Sequence, residues 1–456
     1  MTSALATRIS QEHALAVEAL PEAVVSHDRR RAAIEAIAAR GLPTSRDENW
    51  KYANLRPLER VRFAPAANRQ AALSASELPA PIAGYARYTF VDGVFAPELS
   101  SQTSGHSGVA VRSMRAGNPA AGMGSAVMVP AVGVPADALP FAADARFAVL
   151  NEAFATDGAS IQVAAGTECP ACLELVFVAT AEAQTGASYP RIELEVAAGA
   201  RLALIERHVS AGSDANFVNG VVNVEVGKSA SVQHFRVQQM GARALWFDTL
   251  EATLAEDATY RLHSISLGSL VARSTVNVRL AGERADVGIF AASVADRQQN
   301  HDAFVVVDHQ VPRARTEQSF RGIAAGRARV SFNGKIVVRK DAHGTDSRQS
   351  LRGLLAGSDA EIDVRPQLEI YTDDVKCSHG ATAGKLDENM LFYLLSRGLD
   401  PEVAQRLLKW AFLEDVVSKI DVPELRRQIE QSVAGQLNET APYGLHESVA
   451  PVKDRT

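Results

Sequence analysis

Cys377 and His379 are the residues of this chain best equipped for chemistry. They lie in the run 371–398, YTDDVKCSHGATAGKLDENMLFYLLSRG, where an alternating, strand-like segment gives way to a helix. A thiolate and an imidazole are soft donors suited to transition metals and iron–sulfur centres. If residues 376–380 are extended, side chains two apart share a face, so the thiol and the imidazole point the same way. Two donors cannot close a site. Zinc takes four ligands, or three and a water, and an iron–sulfur cluster takes four cysteines or histidines. Metal held here must therefore be shared with ligands from elsewhere. Asp373 and Asp374 lie just upstream, and either add hard oxygen donors for iron or cap the junction. The competing reading of the pair is a buried thiol beside a hydrogen-bonded histidine at a strand end.

Other candidate motifs fail on spacing. Gly227-Lys228-Ser229 resembles the end of a P-loop, but the glycine required five residues earlier is Val222. GxSxG, HExxH and GxGxxG do not occur, which removes the usual signatures of a hydrolase, a zinc protease and a dinucleotide site. Cys169 and Cys172 form a CxxC in GTECPACLEL. With no second CxxC and no flanking βαβ pattern, they read as turn and strand residues. Three cysteines in 456 residues fit a reducing compartment better than a disulfide framework. His208, His234 and His263 sit singly in strand-like runs and read as structural or surface residues. His343, beside Asp341 and Asp346 in a polar loop, reads as part of a solvated turn, ahead of a hard-metal or acid–base role.

The elements that must position the pair follow from length and pattern. A chain of 456 residues can form two or three domains, or one elongated repeat body with appendages. A net charge of −6 with interspersed signs gives no basic stripe for nucleic acid. Apolar runs such as 304–307 and 391–395 fall far short of the roughly 20 residues that span a bilayer. The N-terminal run MTSALATRIS and the acidic, broken stretch after it lack a signal-peptide core, so a cytoplasmic protein is expected.

Residues 1–140 read as a helical and irregular region. Ser26 can cap a helix over DRRRAAIEAIAARG that stops at Gly41 and Pro43. Trp50 and Tyr52 offer a fixed docking surface, and 63–140 reads as an irregular small domain with a linker. Residues 141–375 carry a train of short alternating strands, among them RIELEVAAG, VVNVEVG, ATYRLHSISL and RVSFNGKIVV. A small turn unit precedes strands at Ala200, Ala230, Ala258, Ala285, Ala328 and Ala360. The first four are about 27 to 30 residues apart, the step to Ala328 is longer, and the last is about 32, within the range of repeat architectures. A mainly β fold with a parallel β-helix (solenoid) core meets these demands, because stacked coils bury a face that one coil cannot. A β-sandwich with coincidental turn spacing is the alternative. Residues 376–456 turn helical: Asp387 and Asp400 are caps, Pro401 starts the second helix, and Ala404, Leu407, Leu408, Ala411, Phe412, Val416 and Ile420 fall on one face. A third helix starts at Pro423, and a polar tail follows Gly435.

Four segments carry a family resemblance: DENWKYANLRPL, FAVLNEAFATDG, RVSFNGKIVVRKDAHGTDSRQS and PQLEIYTDDVKCSHGATAGKLDENMLFYLLSRGLD. They resemble the SufB/SufD family of the SUF iron–sulfur cluster assembly system, and CSHGATAG with DENMLFYLLSRG is similar to its SufD branch. The resemblance implies a right-handed parallel β-helix between helical ends. It implies a non-catalytic scaffold subunit that pairs with SufB through the β-helix core and binds the ATPase SufC through the C-terminal helices. It further implies that Cys377 and His379 lie at the SufB/SufD interface and help hold a nascent iron–sulfur cluster shared between the chains, while this chain binds no nucleotide. A homodimer of the isolated chain stays open. Two other readings compete: a SufB-type scaffold, and a β-helix enzyme acting on polysaccharide through Asp341, Arg348 and Lys335.

Overall fold

The computed structural model describes residues 4–66, 73–101, 107–116 and 144–436, the side chains of Pro170 and Cys172 apart. Helices α1 (Ala4–Ala16), α2 (His27–Arg40) and α3 (Arg146–Phe154) precede the main strand run. Helices α4 (Glu388–Ser396), α5 (Pro401–Val417) and α6 (Pro423–Gln436) follow it. The strands are β1 (Ala86–Val91), β2 (Val94–Phe95), β3 (Val109–Ser113), β4 (Asp157–Val163), β5 (Glu168–Ala179), β6 (Pro190–Val196), β7 (Arg201–Ser210), β8 (Phe217–Val226), β9 (Ser231–Met240) and β10 (Leu245–Leu254). They continue as β11 (Thr259–Gly268), β12 (Val271–Leu280), β13 (Asp286–Ala295), β14 (Asn300–His309), β15 (Arg315–Ala324), β16 (Arg329–Val338), β17 (Thr345–Leu355), β18 (Glu361–Ile370) and β19 (Val375–Gly384).

From β4 onward consecutive strands alternate between two sheets. Odd-numbered strands from β5 to β19 form one sheet and even-numbered strands from β4 to β18 the other, each paired in parallel with its neighbour two strands on. The result is a mainly β chain wound as a parallel β-solenoid of about eight turns, with helices before and after it. Among the described residues, antiparallel neighbours, which a sandwich requires, are confined to the start of the solenoid, where β1 pairs with β2, β3 with β4, and Arg87 bridges Ser101. These short strands cover the first coil. The stretch 63–140, expected as an irregular small domain with a linker, is thus built into the sheets at β1, β2 and β3, while positions 67–72, 102–106 and 117–140 of it lie outside the described residues. The polar tail from 437 onward lies outside them as well.

The recurring alanines mark the corners. Ala200, Ala230, Ala258 and Ala285 are fully buried immediately before β7, β9, β11 and β13. The residue ahead of each is left-handed: Gly199, Ser229, Asp257 and Arg284 have φ of 68°, 55°, 55° and 59°. A tight left-handed corner followed by a methyl group that fits inside it accounts for the unit. The series continues at Arg313 (φ 63°) and buried Ala314 before β15. Ala328 and Ala360 instead precede β16 and β18, so they belong to the opposite corner, and this explains the long step to Ala328.

Three apolar layers result. Between the sheets, inward residues such as Val222, Val224, Leu250, Val276, Val305 and Ile336 form the solenoid core. On the outer face of the odd-strand sheet, Ile205, Phe235, Val237 and Phe290 pack under Trp410, Leu413, Val417, Leu425 and Ile429 of α5 and α6. The buried face of α5 is therefore centred on Trp410, Leu413 and Val417, whereas Ala411 is exposed and Leu407, Leu408 and Phe412 are half-buried. On the outer face of the even-strand sheet, Phe217 and Phe247 pack under the N-terminal elements. Trp50 is buried there as a docking residue, stacked 5.1 Å from Phe147 and 4.2 Å beneath the Arg273 guanidinium.

Candidate functional site

The sequence reading placed Cys377 and His379 at a junction, and the structure places them inside a strand. β19 runs on to Gly384, past the division expected at 375, and α4 begins only at Glu388. Cys377 stands in register with Ser347 of β17, and His379 with Gln349. Ser347 and Gln349 are both buried, and Cys377 itself packs against the inner core. In-register residues of adjacent parallel strands share a face, so Cys377 and His379 both face the interior at the solenoid's last coil. No further coil covers them: β19 ends one sheet and β18 the other. His379 is exposed and Cys377 half-buried. The outer edge of β19 presents a row of main-chain groups with no strand beside it, a template for pairing with another chain.

The electrostatics of the pair are mild. Burial, with help from the nearby Asp346 carboxylate, pushes the Cys377 thiol up, so a metal would have to displace its proton. Asp373 and Asp374 occupy the corner ahead of β19, where Gly344 N–H donates to the Asp374 carbonyl at 2.7 Å. Neither joins the pair as a third ligand: no group of three or more histidine, cysteine or acidic residues positioned for a metal occurs among the described residues. The floor beneath the pair was not foreseen. Ser347 Oγ and Gln349 Oε1 are buried there without hydrogen-bond partners.

The remaining candidates disperse. Lys228 of the GKS run pairs with Glu256 at 2.6 Å on an exposed corner, and Ser229 is that corner's left-handed residue. Lys335 pairs with Glu369 at 2.8 Å on β16, while Arg348 lies near Asp346 on β17. Their strand neighbours Ile336 and Ser347 point inward, so Lys335 and Arg348 project from opposite sheets and cannot converge with Asp341 on one sugar. His343 is exposed, with its Nδ1 2.9 Å from Thr372 Oγ1. Cys169 is buried against the core, where β5 shifts register between Cys169 and Leu173.

His208 and His234 are structural, but as members of a network that sequence reasoning missed. Glu206 is buried on the inner face of β7 and accepts from His208 Nε2 (2.6 Å), His234 Nε2 (2.9 Å) and Arg236 Nε (3.0 Å). Arg236 also reaches Asp248 at 2.6 Å, and His234 Nδ1 lies 2.9 Å from Tyr260 Oη. Burial would raise the Glu206 carboxyl, but Arg236 and the imidazoles outweigh it and hold the group well below the usual carboxylate range. The signal available in the sequence was register: Glu206 and Arg236 lie one coil apart in register, with His234 two residues before Arg236 on the same inward face.

A two-sheet parallel solenoid whose open last coil carries a cysteine–histidine pair is the class of protein defined so far. The family model described as "SUF system FeS cluster assembly, SufBD core domain" matches residues 177–412. The chain belongs to this SufBD family of iron–sulfur cluster assembly proteins. It is 31% identical to the iron–sulfur cluster assembly protein SufD of Escherichia coli, over 87% of this chain and 90% of that protein. A SufBD family protein of Synechocystis is 28% identical over 89% and 90% of the two chains, and one of Mycobacterium tuberculosis 24% over 88% and 90%. No helix among the described residues is long and apolar enough to cross a membrane.

Proposed function

We propose that this chain is a non-catalytic scaffold that helps hold a nascent iron–sulfur cluster across an interface with a second, SufB-type chain. Cys377 and His379 supply this chain's share of the ligands, and the partner supplies the rest. One observation carries the reading: the two soft donors share a face at the open end of the solenoid and have no third ligand among the described residues. The free edges of β18 and β19 suit pairing with a partner of like architecture. A second copy of this chain would meet the same edges, so a homodimer of the isolated protein is compatible with the proposal. The ATPase SufC, expected from the resemblance, docks on the C-terminal helices in this reading, and its cycle moves them against the solenoid. The cluster is cargo here, bound and passed on, and the setting is the cytoplasm.

The test is co-purification with tagged SufB-type and ATPase partners, followed by iron and sulfide analysis. His379→Ala is expected to leave the complex intact and to lower its cluster content. A His379→Ala complex that builds clusters in iron-limited cells at the normal rate would sink the proposal. Cluster reconstitution on this chain alone would instead favour a self-sufficient, SufB-type scaffold.

A further inference from the structure

We infer that Gln349 is the positioning residue for His379: its amide oxygen accepts the hydrogen of one imidazole nitrogen and leaves the lone pair of the other free for the cluster. This rests on the reading of His379 as a ligand. Gln349 is 4% exposed on the inner face of β17 and is the in-register neighbour of His379 on β19. Strands of one sheet stand roughly 4.8 Å apart, within reach of side-chain hydrogen bonding between neighbours.

The orientation of the amide is fixed from below. Gln349 Nε2 donates to Gln318 Oε1 at 2.8 Å and to the Gly334 carbonyl at 2.9 Å. A main-chain carbonyl can only accept, so the –NH2 end must face Gly334, and both of its hydrogens are used. Gln349 Oε1 is thereby turned away, buried and without a donor among the described residues. A buried acceptor in that state is costly and rare. The next rung of the ladder Gln318, Gln349 is His379, whose exposed ring makes no bond to this oxygen in the structure and, turned inward over the last coil, supplies the N–H that the oxygen lacks. Gly334 makes the arrangement possible, since a Cβ there would lie 2.6 Å from Gln318 Oε1 and 2.8 Å from Gln349 Nε2. Histidines that bind metal have their second nitrogen held by an acceptor of this kind, which fixes both tautomer and ring orientation.

The experiment uses the full chain labelled with nitrogen-15 histidine, with the His379 signals assigned by their loss in His379→Ala. At pH 8, without metal, the wild-type imidazole is expected to show one dominant tautomer. Gln349→Met and, independently, Gly334→Ala are expected to return it to a mixture. Gln318→Met/Gln349→Met removes both amides together and guards against a folding defect in the single variant. In the complex with its partners, Gln349→Met should lower cluster retention by roughly ten-fold, as loss of such a supporting contact does elsewhere. An unchanged tautomer ratio in both Gln349→Met and Gly334→Ala overturns the inference, whatever His379→Ala does to clusters. A shifted ratio supports the hydrogen bond, and if His379→Ala then leaves cluster content untouched, it is the ligand reading that falls.

Discussion

Arg321 on β15 and Asp415 on α5 form an ion pair that fastens the C-terminal helices to the outer face of the solenoid. The Arg321 side chain is 4% exposed and the Asp415 side chain 55%. Arg321 is also held by the carbonyls of Phe320 and Ser350, at 2.7 and 3.0 Å. Burial pushes the guanidinium pKa down, and Asp415 offsets only part of that. Asp415→Ala is therefore expected to cost about 1–3 kcal/mol, because it leaves a buried cation short of a partner. The loss should be local: hydrogen exchange should accelerate in α5 and α6 while β9 to β13 keep their protection. An unaltered exchange pattern would mean that the apolar layer around Trp410 and Leu413 docks the helices by itself.

Glu206 presents the opposite balance, with one carboxylate serving two imidazoles and a guanidinium inside the core. Glu206→Ala strands Arg236 with Asp248 alone and leaves two ring nitrogens without acceptors. The expected loss is about 3–5 kcal/mol, the range for breaking a buried ion pair from one side. Glu206→Gln keeps part of the hydrogen bonding and should cost less. Urea unfolding of the two variants checks both the size and the order, and equal losses would contradict the charge argument.

The buried histidines set the acid side of the stability curve. Burial lowers His301 and His309 from 6.5 to about 4. Between those values the unfolded chain binds the protons and the folded chain does not, so stability falls as pH drops from about 6.5 toward 4 and flattens below. Each contributes on the order of 3 kcal/mol over that window. Glu206 acts in the same direction at lower pH: its folded pKa is depressed, so its contribution is present above about 4.5 and is lost on further acidification. His301→Gln should flatten the slope between pH 6.5 and 4, measured as unfolding midpoint against pH. A slope identical to wild type would show that His301 is not buried neutral.

How far the sequence could be read depended on whether a feature was local or set by register. Alternation in VVNVEVG or ATYRLHSISL betrays a strand by itself, and Ser26, Asp387 and Asp400 cap their helices as their positions predict. The strands LWFDTLEATL and NHDAFVVVDH show the period of two less clearly, because each also carries apolar residues on its outer face, Leu245 and Phe247 in one and Phe304 and Val306 in the other. The alanine series changed corners at Ala328 for a similar reason: both corners need a small residue, and nothing local tells them apart. Cys377 and His379 were recognisable by residue type, and a period of two put them on one face. That the face looks into the solenoid, and that Ser347 and Gln349 form its floor, follows only from the pairing of β17 with β19, which spans about one coil of sequence.

Helix α4 bears on the proposed ATPase partner. Its nine residues pack chiefly against α5, and it leaves Phe392 72%, Tyr393 54% and Met390 53% exposed. Single exposed apolar residues are ordinary, but three large ones within four positions form a patch of the kind that marks an interaction site. Aromatic side chains in such a patch carry a disproportionate share of binding energy once water is excluded. If the ATPase docks on these helices, Phe392→Asp should weaken its binding by about 2 kcal/mol, roughly thirty-fold. The thermal midpoint should hold, since most of the Phe392 side chain lies outside the fold. Calorimetric titration of the ATPase onto wild-type and Phe392→Asp protein separates the possibilities. A weakened complex with an unchanged midpoint places α4 in the interface, whereas unchanged affinity moves the ATPase to another surface and leaves the α4 patch to a different contact.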